Sequence, residues 1–547
     1  MKSIKHIISL LFLLPIFAYG NIIIVDKNGT SDYLTIQEGI NNASPMDTVL
    51  VYPGNYIEIV DFSGKDIVVA SLFLTTNDTT YISQTIIDGN QENYPLVRFT
   101  NDETENAKLI GFTITNAAGP FGKSDDRYLH GLGIYIVGSS PVIESNRIIN
   151  NSYNDAYIQG GGIVLENSSA KVIDNIISYN EMAYSGGGIY INNSIDILIE
   201  NNLIQNNRLF CGYGTSFGAG IYIDSSQNIV VNANTIEENY FNNYGIGGGI
   251  YLSSSNNITI LNNNISGNGH DCSKGGGITT FMSSDIRIVG NLLSGNMAKS
   301  RGGGLYCENS DVILVNNTFC FNEAIYPSYG CGGGLACINS NPIIQNTILY
   351  SNVAALSGNQ VYLDANSDPD FFYSDIEGGL LAFGLSDTVE YNGLYENNIE
   401  ESPQFVLFGD YPYSLDNSSP CINAGNVDTV GLFISDVDIA GFERIVQNRI
   451  DIGAYEYQHI LNINSSYESS DISIYSNPLT GKVTINIPEN QFNKGWLTIV
   501  DMRGNSISKI RTENSKDEFD LSFLSSGVYI VNLTSGRFVK RAKIILY

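Results

Sequence analysis

The 547 residues are 43% hydrophobic and 15% charged, with 55 glycines. That is enough apolar side chain to bury a substantial core and enough length for more than one domain, which excludes a disordered chain. Acidic residues outnumber basic ones 56 to 27, so nucleic acid and anionic membrane surfaces are poor partners. Seven cysteines in so long a chain make no dense disulfide framework. None has zinc spacing, since Cys331 and Cys337 stand six apart with no histidine near them.

Residues 1–20 carry Lys2 and Lys5, then the apolar run IISLLFLLPIFA, then Ala18-Tyr19-Gly20. This is the order of a cleaved export signal, and it predicts a mature chain from Asn21. Without those lysines, 25 basic residues face 56 acidic ones, a net charge of −31. No later stretch reaches transmembrane length.

From Tyr33 to Ala43 a short helical pattern precedes DTVLVYPGNYIE. A helix there covers the open edge of a first coil, an edge that would otherwise invite aggregation. The segments DIVVAS, TIIDG and KLIGFTITN continue as strands, which predicts a solenoid beginning near Thr48 with on the order of eleven coils.

The repeat is explicit further on. GLGI at Gly131, GGGI at Gly160, Gly186, Gly247 and Gly275, GAGI at Gly218, and GGGL at Gly302 and Gly332 recur in steps of 26 to 32 residues. An apolar residue three before an asparagine keeps pace, from Ile148/Asn151 through Ile204/Asn207 to Leu349/Asn352. Within each unit the side-chain period is two, as in Ile189, Tyr190 and Ile191, which disfavours helical repeats. Three short strands per unit fit one coil of a parallel β-solenoid. Glycine tolerates the strained backbone where a loop re-enters the sheet, and asparagine tolerates a left-handed turn and can bond to its copies in a ladder.

With these words in place, the chain resembles secreted right-handed parallel β-helix proteins of the pectate-lyase-like superfamily. TIQEGINNASPMDTVLVYPGNYIE is similar to their N-terminal cap, and GGGI and FCFN to repeats of polymorphic outer-membrane adhesins. YSDIEGG, SPCINAG and DIGAYEY resemble the closing region of bacterial surface β-helix proteins. From about Asp471, short evenly spaced strands predict a small β-sandwich. That segment is similar to the C-terminal sorting domain of the type IX secretion system, although Ser476 stands where the family usually has proline. The resemblance implies passage across an outer membrane by that machinery and a secreted or cell-surface location. The expected fold is all-β, a right-handed parallel β-helix followed by a small β-sandwich. Its expected parts are a signal peptide (1–20), a capped β-helix (21–375), a closing region (376–460), a linker (461–470) and the sorting domain (471–547).

If the glycine-led strands stack in register, the residue two past the last glycine points outward. That column holds Tyr135, Tyr190, Tyr222, Tyr251 and Tyr306, an aromatic stripe suited to the faces of sugars. The loops before the glycines form a wall beside it, rich in Tyr153, Tyr157, Tyr184, Tyr213, Phe217, Tyr240, Tyr244, Tyr326 and Tyr329. On that wall Lys274 and Arg301 fall one coil apart, with His270 and Asp271 close by. The expected function is binding of extracellular polysaccharide by a surface scaffold. The rival is a polysaccharide lyase with His270, Lys274 or Arg301 as base. The tyrosine column offers no clustered aspartates for a hydrolase, and Asp125, Asp126 and Asp155 are remote in coil number from the basic pair. DVDIAG (436–441) is the calcium reading available, with turn chemistry the simpler account. Otherwise no cofactor or metal is indicated. Cys307 and Cys337 face inward on adjacent coils, as packed thiols or a strained disulfide.

Overall fold

The computed structural model describes residues 20–458, apart from 30, 92–94, 119–130, 153–158, 183, 211–213, 387–389, 410, 429–433 and 447, together with most of 473–546. Residues 1–19 of the expected export signal (1–20), the linker (461–470), Asp125, Asp126, Tyr153, Asp155, Tyr157 and Tyr213 lie outside the described residues. The chain divides into two units, Met1–Gln458 and His459–Tyr547.

The first unit is a three-sided parallel solenoid. One coil runs through Val142–Glu144, turns at Asn146, continues as Arg147–Ile149 and returns after a loop as Ile163–Glu166. Each strand pairs in parallel with its copy in the next coil, Ile143 with Val172, Ile148 with Ile177 and Ile163 with Ile189. The three sheets hold 14, 12 and 12 strands. Alternate apolar side chains point inward and make one continuous core from Val25 to Ile376.

The solenoid starts earlier than Thr48. Ile22–Val25 pairs in parallel with Thr48–Val51, and the helix Ile36–Asn42 lies between them in sequence. Thr35 caps that helix by accepting from the Glu38 N–H at 3.2 Å. Ile36 and Ile40 are buried beneath it. A Cβ on Gly39 would meet Val25 and Val49 at 2.8 Å, so only glycine lets the cap lie this close. Two helical turns absent from the sequence reading, Phe73–Thr76 and Thr80–Gln84, interrupt an early coil.

The asparagines divide their work differently from the expectation. The left-handed turn is taken by the residue before each repeat asparagine, at Asn150, Tyr179, Asn206, Glu238 and Phe321 among others. The repeat asparagine itself points inward. Asn180, Asn207, Asn239 and Asn268 are fully buried, and each donates its Nδ2 to the Oδ1 of the next at 3.0 Å. A second ladder runs at the neighbouring turn through Asn175, Asn202, Asn234 and Asn263, and serines Ser194, Ser226, Ser255 and Ser283 make a third. Ladders at all three turns satisfy polar groups that the core could not otherwise hold. The glycine triplets follow from spacing. A Cβ on Gly162 would lie 2.5 Å from the Gly188 carbonyl of the next coil.

The described residues between 399 and 457 have little regular structure and pack on the outside of the solenoid. Asn316 donates to the Asp451 carbonyl at 2.8 Å, and Ala454 donates to Thr318 at 3.0 Å. Arg444 is buried, donating to the carbonyls of Gly453 and Ala454 at 3.1 and 2.7 Å. In DVDIAG, Asp438 accepts from the backbone of Ala440, Phe442 and Glu456. Six described cysteines are buried, with Cys307 and Cys337 on adjacent strands. Burial pushes the Cys307 thiol up to about 12.

The second unit holds two antiparallel sheets of three and four strands. Val483 and Phe519 from one sheet and Leu497, Ile499, Tyr529 and Val531 from the other share an apolar cluster.

Candidate functional site

The wall beside the third sheet forms as the repeat register requires. Gln159, Ser185 and Phe217 pair in succession, as do Lys274, Arg301, Cys331 and Ser357, with Ile246 joining Phe217 to Lys274. The outward tyrosines also pack ring against ring, with centres 5.4 Å apart for Tyr190 and Tyr222, which are tilted, and 5.3 Å for Tyr222 and Tyr251, which are stacked.

The stripe is not an open platform, however. Tyr190, Tyr251 and Tyr306 are 3%, 5% and 1% exposed, and Tyr135 and Tyr222 are half-buried. The wall folds over them, with the Phe217 ring 5.1 Å from Tyr251 and 6.0 Å from Tyr222. Burial, reinforced by carboxylates on the same face, raises the phenol pKa of Tyr190, Tyr222, Tyr251 and Tyr306. The expected exposure is thus corrected: the glycines bring the wall down onto the rings. What the protein presents to solvent is the outer side of that wall, where Tyr184, Tyr244 and Tyr329 are 39%, 62% and 48% exposed.

There the structure brings together part of the expected basic set. A cleft of about 290 Å³ is lined by Tyr244, Ser273, Lys274, Lys299, Ser300, Arg301, Tyr326 and Tyr329. Tyr326 and Tyr329 stack at 4.8 Å, nearly parallel at 9°. Lys274 lies 4.8 Å over the Tyr306 ring, donates to its hydroxyl at 2.9 Å and pairs with Glu308 at 3.2 Å. Lys299 lies 5.0 Å over Tyr244 and pairs with Asp271 at 2.7 Å. That hydrogen bond holds its ammonium above the usual lysine range. Arg301 sits 5.6 Å over Tyr362. His270 is outside the cleft lining, with its side chain 74% exposed and 3.7 Å from Asp271.

Lys299 and Glu308 escaped the sequence reading, although each left a signal. Lys299 stands two before Arg301, and Glu308 two after Tyr306, on the same strand face. The same offset yields a second outward column, Glu166, Asn192, Asp224, Ser253, Phe281 and Glu308. It does contain carboxylates, which a search along the tyrosine offset alone passes over. The Tyr135 hydroxyl donates to Glu166 at 3.4 Å and that of Tyr306 to Glu308 at 2.7 Å. Among the described residues, no three His, Cys, Asp or Glu side chains are grouped to hold a metal, and no helix is long and apolar enough to cross a membrane.

Residues 48–293 and 247–368 match the family described as right handed beta helix region. Residues 473–547 match the secretion system C-terminal sorting domain. No curated protein sequence matches the chain. Similar solved structures include the A-module of mannuronan C-5 epimerase AlgE6 from Azotobacter vinelandii, at 14% identity and a TM-score of 0.37, covering 68% of this chain and 95% of that one. DFA-IIIase from Arthrobacter chlorophenolicus A6 is similar at 12% identity and a TM-score of 0.30, covering 68% and 100%. Tailspike protein 2 of Escherichia coli O157:H7 bacteriophage CAB120 is similar at 13% identity and a TM-score of 0.29, covering 96% and 63%. These likenesses assign no role to any residue here. The two β-helix matches together span more than half of the sequence, and the chain belongs to the right-handed parallel β-helix family, as a secreted or cell-surface protein with a secretion-system sorting domain.

Proposed function

We propose that this protein is a surface-displayed scaffold that binds extracellular glycan at the wall cleft. The observation that carries the reading is the cleft's construction. Exposed rings of Tyr244 and Tyr329, with Tyr326 stacked on the latter, stand over a floor of ammonium, guanidinium and hydroxyl groups. A sugar ring has apolar C–H faces and a polar rim, and aromatic walls with a hydrogen-bonding floor complement both at once. The sorting domain supports the reading, since it delivers the site to where such polymers are found.

The test is retention of the full chain on immobilised neutral and acidic polysaccharides, with product release followed in the same samples. Retention without products is expected, reduced about tenfold by Tyr244→Ala combined with Tyr329→Ala. Retention unaffected by those changes, or no retention on any polymer, sinks the reading. Steady accumulation of unsaturated uronate products replaces it with a lyase.

A further inference from the structure

The cleft's charges do not balance, and the imbalance specifies a ligand class. Lys299 is neutralised by Asp271 at 2.7 Å and Lys274 by Glu308 at 3.2 Å. Arg301 pairs with no carboxylate among the described residues. Its neighbours are the Tyr362 ring and the Tyr306 hydroxyl, and that hydroxyl already donates to Glu308. Arg301 faces Lys274 directly across a strand pairing, where neighbouring backbones lie about 4.8 Å apart. Like charges so placed repel unless each has a counter-charge. Lys274 has one from the protein and Arg301 does not. The geometry points to a subsite at Arg301 for a single oxyanion on a sugar, a carboxylate or a sulfate ester, bound as the missing counter-charge. This rests on the glycan-binding reading and narrows it to acidic glycans.

Two features argue that the imbalance is local. The whole chain carries a net charge of −29, which repels a polyanion on average, so holding one calls for a locally cationic spot. Among the described residues the wall column is cationic at two adjacent places, with Phe217 and Ile246 on one side of the pair and Cys331 and Ser357 on the other. The planar guanidinium is suited to an oxyanion, because it can donate to both oxygens of a carboxylate or sulfate.

The test uses the full chain and two polymer pairs that differ only in charge, methyl-esterified against de-esterified pectin and dextran against dextran sulfate. The charged member of at least one pair should bind about tenfold to a hundredfold tighter, the range for one charge-assisted contact. Which pair shows the preference distinguishes carboxylate from sulfate. Arg301→Gln should remove the preference by weakening the charged member of the pair about tenfold more than its neutral counterpart, and Arg301→Lys should restore part of it. Glu308→Gln should act in the opposite direction, tightening acidic binding several-fold by releasing Lys274. Equal binding within both pairs, or a preference that survives Arg301→Gln, overturns the subsite while leaving glycan binding standing. Failure to bind any polymer overturns both.

Discussion

Asp375 shows how a single side chain can tie stability to pH. It begins the last strand of one sheet and is fully buried. Its carboxylate accepts from the Glu401 N–H at 3.1 Å and from the Cys421 thiol at 3.2 Å, with no cation paired to it among the described residues. Burial pushes its pKa up to about 7, with Glu401 and Glu377 adding repulsion against the two hydrogen bonds. Because the folded value lies above the unfolded one, the protonated form is favoured by folding. Stability is therefore complete below about pH 4 and falls as pH rises toward 7, by on the order of 4 kcal/mol for this group. Asp375→Asn should flatten the dependence: the difference in thermal midpoint between variant and wild type grows in the variant's favour from pH 5 to pH 8. A difference that stays constant over that range shows that the carboxylate is not the titrating group.

At the scale of elements, the wall and the sheet it covers make one two-layered edge. Ser216–Phe217, Gly245–Ile246 and Cys272–Lys274 form a small sheet of their own, and Phe217 seals the tyrosines beneath it. Removing that ring should open the column while leaving the coil ladders intact. In Phe217→Ala, Tyr222 and Tyr251 should become reactive to nitration at pH 8, mapped by mass spectrometry, while in the wild type their covered phenols stay inert. Wild-type rings that nitrate as fast as Tyr244 would mean the wall does not close over them. The edge also marks where the sequence stopped being legible. Periodicity located the stripe, the wall and the Lys274–Arg301 pairing because parallel stacking turns sequence offset directly into position. It could not show that the wall descends onto the tyrosines, since loop direction is not encoded by period. The helical turns Phe73–Thr76 and Thr80–Gln84 were invisible for a related reason: four- and five-residue helices carry too little periodic signal to stand out from a loop.

Over the whole solenoid, each coil touches only its neighbours, so stability is distributed along the axis as a chain of interfaces. The middle is the best supplied. Strands Gln227–Asn232, Asn256–Leu261 and Ser284–Val289 are six residues long and are backed by continuous asparagine ladders. The first coil is covered by the helix at Ile36–Asn42. At the other end the strands shrink to Gly384–Leu385 and Tyr395–Glu396, and Leu381 beside them is fully exposed. Opening should therefore begin at that end and progress toward the centre, since local opening costs least where fewest interfaces must break. Native-state hydrogen exchange should show amides of 384–396 exchanging fastest, those of 227–289 slowest, and those of 22–25 between them. Equal protection at both ends would mean that the helix contributes nothing beyond what the bare edge already has. Uniform protection throughout would mean that the stack opens as one unit, with the ladders coupling every coil. The wall cleft borders the slow central span, with Lys274 inside it and Arg301 on the next coil, and binding sites that need fixed geometry gain from such a position because their residues are ordered before the ligand arrives.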